Sequence, residues 1–427
     1  MDIFILLLVF FGTLAIGVPV AICLGLSSLA YILVAGLPVV IIPQRMYAGM
    51  DVFVLLCIPG FILAGNLMNY GGITERIIRL ANAMVGWMRG GLAMANVADS
   101  MMFGGVSGTA VADVAATGGV MIPGMKKSGY TAQFAAAITA ASATVGPMLP
   151  PSVPMIIVGA LSGISVGQLF LAGAVPGVLM GIGMAITCYI LAVRNNFPRQ
   201  EWKGFKELFA AFLAAFWALA MTGLILGGLL TGIATPTETA MVACVYAFII
   251  GAFVYRELPI RKVPKIVVSS AVSSAGILAL VGFANVFGSI LASERIPQLL
   301  VTTVLSITEN PILVILLINT LLLVIGMFME TIAALIILFV PLLGLATSVG
   351  IDPLHFATFA VLNLMIGLTT PPVGICLFVA ANIARVPLGG VIKAVFPFLV
   401  SNTIVLFMVS YYPPFATWLP KLVLGAN

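Results

Sequence analysis

The chain has 427 residues, of which 62% are hydrophobic and only 7% charged, with a net charge of +5. A soluble domain carries roughly 25% charged residues, and a mean hydropathy of +1.25 belongs to a chain whose solvent is mostly lipid. A soluble enzyme, a nucleic-acid binder and a disordered protein are thereby excluded. The 44 glycines and 25 prolines point to helices that pack closely and break in places. Cys23, Cys57, Cys188, Cys244 and Cys376 all sit in apolar runs without C-x-x-C spacing, and read as packing residues. His355 is the only histidine, so no multi-histidine metal site is expected.

A helix needs about 20 apolar residues to cross a bilayer. The N-terminus lacks a basic n-region, and its apolar stretch runs to about Gly36, too long for a cleaved signal. It predicts one long span near 3–36, followed by a span near 50–69. Residues 72–89 are amphipathic and carry Glu75, Arg76, Arg79 and Arg89, which suits the interface. Residues 90–125 are apolar but rich in glycine and small polar residues. Spans follow at 131–162, 168–193, 208–231, 236–255 and 266–290. Residues 293–308 form a second surface segment, 311–346 a second long apolar segment, and 354–384 and 388–413 the last spans. Suppose 90–125 and 311–346 are re-entrant hairpins. Fifteen basic residues then share one side, and only Arg45, Arg295 and Lys421 take the other, of 18 in all. The positive-inside rule makes the first side cytoplasmic, with the N-terminus inside and the C-terminus outside. Two full crossings in place of each hairpin give the same parity, so the count leaves re-entrance open.

Shifting the chain by 221 residues aligns two halves without a gap. Gly105 falls on Gly326, Gly129 on Gly350, Gly146 on Gly367, Pro150-Pro151 on Pro371-Pro372, and Pro176 on Pro397. The chain thus divides into a first repeat over 1–193, a connecting span at 208–231, and a second repeat over 236–414. The first holds a hairpin at 90–125 and a broken helix at 131–162. The second holds a hairpin at 311–346 and a broken helix at 354–384. Each repeat has an even number of crossings, so the connecting span inverts the second. The fold class expected is an all-α polytopic membrane protein with two inverted repeats, the architecture of secondary transporters.

Irregular backbone in lipid is tolerated only where it lines a cavity or is buried in protein, so the breaks are the informative places. They are Phe103-Gly104-Gly105-Val106-Ser107-Gly108-Thr109, then Thr144 to Ser152 with three prolines, then Gly326-Met327-Phe328-Met329-Glu330-Thr331, then Gly367-Leu368-Thr369-Thr370-Pro371-Pro372. Broken helix ends offer carbonyls to a cation and amide hydrogens to an anion. Ser107, Thr109, Ser142, Thr144, Ser152, Thr331, Thr369 and Thr370 add hydroxyls. Oxygen-only ligation suits a hard cation such as Na⁺. Gly105, Ser107, Ser142, Gly146, Gly326, Met329, Gly367 and Thr370 are the candidate sodium ligands. Glu330 suits three roles: bonding a substrate hydroxyl, binding a cation, or capping backbone amides in its tip. Asp113 suits a cap or a pairing within the first hairpin, Glu238 a cap for a helix starting near Pro236, and His355 a helix boundary. No nucleophile elbow, phosphate loop or zinc motif is complete, so neither an enzyme nor a cofactor is expected, only a coupling ion.

The run Gly104-Gly105-Val106-Ser107-Gly108-Thr109-Ala110, then Ala112-Asp113, Gly146-Pro147 and Pro150-Pro151-Ser152, resembles the large membrane subunit of tripartite ATP-independent periplasmic (TRAP) transporters, the DctM-like family of the ion-transporter superfamily. The resemblance covers essentially the whole chain. It implies an elevator-type carrier with a scaffold and a transport domain, in a bacterial inner membrane. It also implies Na⁺-driven import of an organic acid, a small membrane subunit and a periplasmic substrate-binding protein, and it makes Ser107, Ser152 and Glu330 the candidate substrate contacts, Glu330 through the repeat and its family position. The chain opens on its first span, so the small subunit is expected as a separate polypeptide. Glu330 would repel a second carboxylate and accept from hydroxyls, which favours a polyhydroxylated monocarboxylate such as sialic acid. The alternatives are a C4-dicarboxylate and a stand-alone sodium–anion symporter.

Overall fold

Glycine and proline cut the apolar sequence into short and long helices, with no strand among the described residues. The computed structural model describes residues 2–197 and 199–425; of Asp2, Gly105, Val106 and Ser107 it describes the backbone alone. The first helices are α1 (Asp2–Ala15), α2 (Val20–Val34), α3 (Ile41–Met50), α4 (Cys57–Tyr70) and the amphipathic α5 (Ile73–Val85). A pair, α6 (Gly91–Ser107) and α7 (Ala110–Lys127), precedes the broken helix α8 (Ala132–Ser142) and α9 (Val153–Ser162). Then come α10 (Val166–Arg194), α11 (Gly204–Leu230), α12 (Pro236–Ile249), α13 (Val263–Ser293) and α14 (Ile296–Ile307). The order of the first half recurs. A pair, α15 (Pro311–Gly326) and α16 (Thr331–Ser348), precedes the broken helix α17 (Pro353–Gly367) and α18 (Ile375–Ala384). The chain ends in α19 (Leu388–Tyr411) and α20 (Pro414–Leu424). Among the described residues seven helices are long and apolar enough to cross a membrane, or eight with α8 and α9 counted as one bent span.

The first amides of a helix have no partner within it, and polar side chains accept from them here. Thr131 caps α8, Ser152 caps α9, Asn310 caps α15, and Asp352 caps α17 through the His355 amide at 2.9 Å. Thr235 and Glu238 form a reciprocal capping box at α12, the role expected of Glu238. His355 is a boundary residue, and its ring Nε2 meets the Val409 carbonyl at 2.8 Å. All five cysteines are free, and four are buried.

The span expected over 3–36 is instead two helices. Gly17 turns the chain at φ +86° and Pro19 precedes α2, too tight a break for one continuous helix. Gly25 lies against the Phe283 ring and the Tyr31 hydroxyl bonds Glu294, so α2 runs alongside α13 in the same direction. Phe10 lies beside Phe287, ring centroids 5.4 Å apart, so α1 runs back the other way. The N-terminus therefore lies on the side where α13 ends, opposite to the side that a single span gives.

Packing sorts the helices into two groups. One contains α1 to α4 and α11 to α13, with α13 lying on α2, α3 and α4. The other contains α6 to α10 and α15 to α20. The long spans α10 and α19 thus pack with the helix pairs and broken helices. Between the groups run α5, which packs on α6 and α11, and α14, which packs on α13 and α16. Arg76 pairs with Glu257 at 2.7 Å and lies over the Tyr255 ring, while Arg79 pairs with Glu207 at 2.9 Å, so α5 is tied to the first group.

Candidate transport site

Each helix pair ends on a broken helix, and glycine allows the approach. A Cβ on Gly104 would lie 1.9 Å from the Gly146 Cα, and one on Gly367 would lie 2.6 Å from the Gly326 Cα. Backbone therefore rests on backbone at both places. Around the first contact, Gly108 lies against Val153. Around the second, the Gly374 amide donates to the Met327 carbonyl at 3.4 Å and the Thr331 hydroxyl to the Leu364 carbonyl at 3.5 Å. The breaks are joined across the halves as well, because α16 packs on α9 and α7 and α8 pack on α18. Pro150-Pro151 and Pro371-Pro372 are both cis.

Gly146, Gly326 and Gly367 lie at these two contacts, and Met329 is buried in the turn between α15 and α16. Thr369 and Thr370 donate to the Ile366 carbonyl at 3.0 and 2.8 Å, closing the end of α17. Thr144 does the same for Ala141 at 2.7 Å. Ser152 is fully buried and accepts the Met155 amide at 3.2 Å, which leaves its hydroxyl proton for another acceptor. Glu330 caps α16: its Oε2 accepts the Ile332 and Ala333 amides at 2.9 and 3.3 Å. The side chain of Ser107, and that of the neighbouring Val106, lie outside the described residues, as does the surroundings of Gly105. Thr109 lines a cavity of about 200 Å³ between the α6–α7 tip and α4 and α13, with Asn66, Asn69 and Ser273 as its other polar residues.

Ser142 belongs to a buried chain that binds α6 to α8. Ser100 donates to Ser142 at 3.1 Å, Ser142 to the Asn96 oxygen at 3.3 Å, and the Asn96 amide to Thr139 at 2.6 Å. The second half has a counterpart. Asn363, 221 residues after Ser142, donates to the Asn319 carbonyl and side chain at 2.9 and 2.8 Å, and Asn319 donates to Ser410 at 3.0 Å. Sequence reasoning picked out Ser142 but none of these partners. The readable signal was an asparagine in an otherwise apolar run, a costly residue that has to be met by another polar group.

Asp99 and Asp113 are both fully buried, and neither caps a backbone. The Thr117 hydroxyl lies 2.8 Å from one oxygen of Asp99 and 3.0 Å from one of Asp113, while the second oxygen of each is buried without a hydrogen-bond partner. A hydroxyl carries one proton, so both contacts are hydrogen bonds only when at least one carboxyl is protonated and donates to Thr117. The pair then holds at most one negative charge. Among the described residues the ion pairs are those of Arg76 and Arg79, so no cation offsets it.

The chain matches, over residues 7–415, the family described as the tripartite ATP-independent periplasmic transporter, DctM component. It is 40% identical to the sialic acid TRAP transporter large permease of Vibrio cholerae, over 97% of both chains. It is 39% identical to the C4-dicarboxylate TRAP transporter large permease of the same organism, over 100% of this chain and 99% of that one. It is 40% identical to an isethionate TRAP transporter permease of Oleidesulfovibrio alaskensis, over 94% of this chain and 63% of that one. In fold it is similar to the YdaH transporter of Alcanivorax borkumensis, with a TM-score of 0.64 and 15% identity over 89% of this chain and 88% of that one. Tips seated on broken helices in an all-helical, multi-pass membrane protein, together with a match over nearly its whole length, establish that the chain belongs to the TRAP transporter large-permease family, whose members are transporters and not enzymes.

Proposed function

We propose that this chain carries a small organic acid into the cell by Na⁺ symport, as the large permease of an importer in a bacterial inner membrane. The observation that supports it best is the repeated seat. In each half a helix pair ends glycine-on-glycine against a broken helix, and broken helix ends are where secondary transporters hold ion and substrate. Gly105, Ser107, Ser142 and Gly146 from the first half, and Gly326, Met329, Gly367 and Thr370 from the second, are the proposed sodium ligands. Ser107, Ser152 and Glu330 are the proposed substrate contacts. Residues 1–193 and 236–414 act as inverted repeats joined by α11. The side rich in basic residues is cytoplasmic, the C-terminus lies outside, and the fold-back of α1 puts the N-terminus outside too.

Substrate arrives from a soluble binding protein on the outer side, and a small membrane subunit on a separate chain docks on the scaffold. Relatives named for sialic acid, C4-dicarboxylates and isethionate bound the substrate to small organic anions, of which a carboxylated sugar suits Glu330 best. Asp99 and Asp113 favour a second reading, in which a proton replaces Na⁺. Proteoliposomes holding both membrane subunits decide between them. Uptake of sialic acid is expected only with the binding protein present and a Na⁺ gradient imposed. Full uptake in Na⁺-free buffer under a proton gradient would replace Na⁺ by H⁺. Uptake without any binding protein would make the chain a stand-alone symporter.

A further inference from the structure

Two crevices separate the helix groups, and they differ in charge. The one beside Thr109 contains Asn66, Asn69 and Ser273 but no basic residue. The other encloses about 330 Å³, a volume in the range of small-ligand sites. It lies between α3 and α13 on one wall and α9 and α16 on the other. The second wall is apolar, formed by Ile157, Ala160, Ile336 and Val340, and the first carries Arg45 and Asn285. Arg45 is the basic residue among the lining residues, and none of them is acidic. Its place is fixed by the backbone. Gly49 lies one turn on, where a Cβ would come within 2.4 Å of the Asn285 Cβ, so the Arg45 face of α3 is pressed onto α13. Among the described residues no carboxylate is paired with Arg45.

We propose that Arg45 is the anion-capturing residue of the outer crevice, holding the substrate carboxylate together with the Asn285 amide before the mobile wall carries it inward. The inference rests on the transport reading and on the sidedness proposed above. A guanidinium presents a fork of donors to a carboxylate, and low-dielectric walls strengthen the attraction. Arg45 sits on the α3–α13 wall, in the group taken as the scaffold, so it stays behind when the α9–α16 wall moves. It strengthens binding in the outward state only, and the inner crevice, lacking a cation, favours release. Two positions so biased give capture on one side and discharge on the other without any change in the substrate.

Charge-selective labelling reads this directly. Ala292, exposed in the same crevice, is replaced by cysteine in the assembled complex and treated with negatively and positively charged methanethiosulfonates of similar size. The anionic reagent is expected to react preferentially, with the preference falling about tenfold in Arg45→Ala and largely kept in Arg45→Lys. In parallel, Arg45→Ala is expected to raise the KM for uptake from outside severalfold with kcat little changed, again with rescue by Arg45→Lys. Equal labelling preference with and without Arg45, or an unchanged KM, overturns the proposal. A parent complex with no uptake at all refutes the transport reading instead, and the labelling ratio still reports on the anion site.

Discussion

A methyl group at Gly146 would lie 2.5 Å from the Gly104 Cα, and one at Gly367 would lie 2.6 Å from the Gly326 Cα. Neither backbone can yield, because each is the end of a helix seated on another. Gly146→Ala and Gly367→Ala are therefore expected to abolish uptake and lower the melting temperature in detergent. Gly119→Ala, with nothing within 4 Å of the new Cβ, is expected to be neutral or to gain about 0.5–1 kcal/mol from helix propensity. Equal behaviour of the three variants would mean that the close approach is not what the glycines serve. Gly146 and Gly367 were legible as matched glycines 221 residues apart, whereas Gly104 was not, because the repeat sets Gly105, and not Gly104, on Gly326. The partners of Asn96 and Asn363 were not, because a sequence shows that a buried amide needs a partner but not which helix supplies it. The same limit hid Thr117 and Asp99, the partners of Asp113 within the first hairpin.

At the scale of elements, the pairs α6–α7 and α15–α16 both turn back at a broken helix. In the first pair the contacts of Asn96 with Met125 and Asp99 with Thr117 close toward the turn, as antiparallel neighbours must. Thiols placed at Arg89 and Lys126 are thus expected to label from the cytoplasm, and thiols at Asn310 and Ser348 from outside, with membrane-impermeant maleimides. Labelling of either pair from opposite sides would exclude a hairpin. A short tag at the N-terminus is expected to be reached from outside, on account of the α1 fold-back. Surface helices, helix pairs and helix breaks were readable because proline, glycine and charge mark their ends. The α1–α2 turn was misread because Gly17-Val18-Pro19 is so short an interruption that the hydropathy runs through it unbroken. The short helix α3 escaped notice for a related reason: it crosses nothing and leaves no long apolar signature.

Over the whole molecule, the recurrence of element order and the division into two groups favour a carrier that moves one group against the other. A bond across the gap is the simplest challenge. Ile336→Cys and Ala284→Cys face the same crevice from α16 and α13, and their oxidation is expected to stop uptake, with recovery on reduction. Uptake at the full rate in the oxidised protein would favour local gating over bulk movement. The composition of the moving group could be read only in part, since α10 and α19 are ordinary spans in hydropathy and reveal their allegiance only through packing. A single proton shared around Thr117 would have an electrical consequence for such a carrier. Holding that one proton and no second, the pair would give the first hairpin a charge of minus one inside the membrane field. The field acts on it with about 2.3 kcal/mol per 100 mV for a full transit. Under an inside-negative potential an empty carrier is pushed outward, back to its loading position, and the arrival of cations cancels or reverses that push. The membrane voltage would then act on the return stroke, through two aspartates that need never touch the substrate.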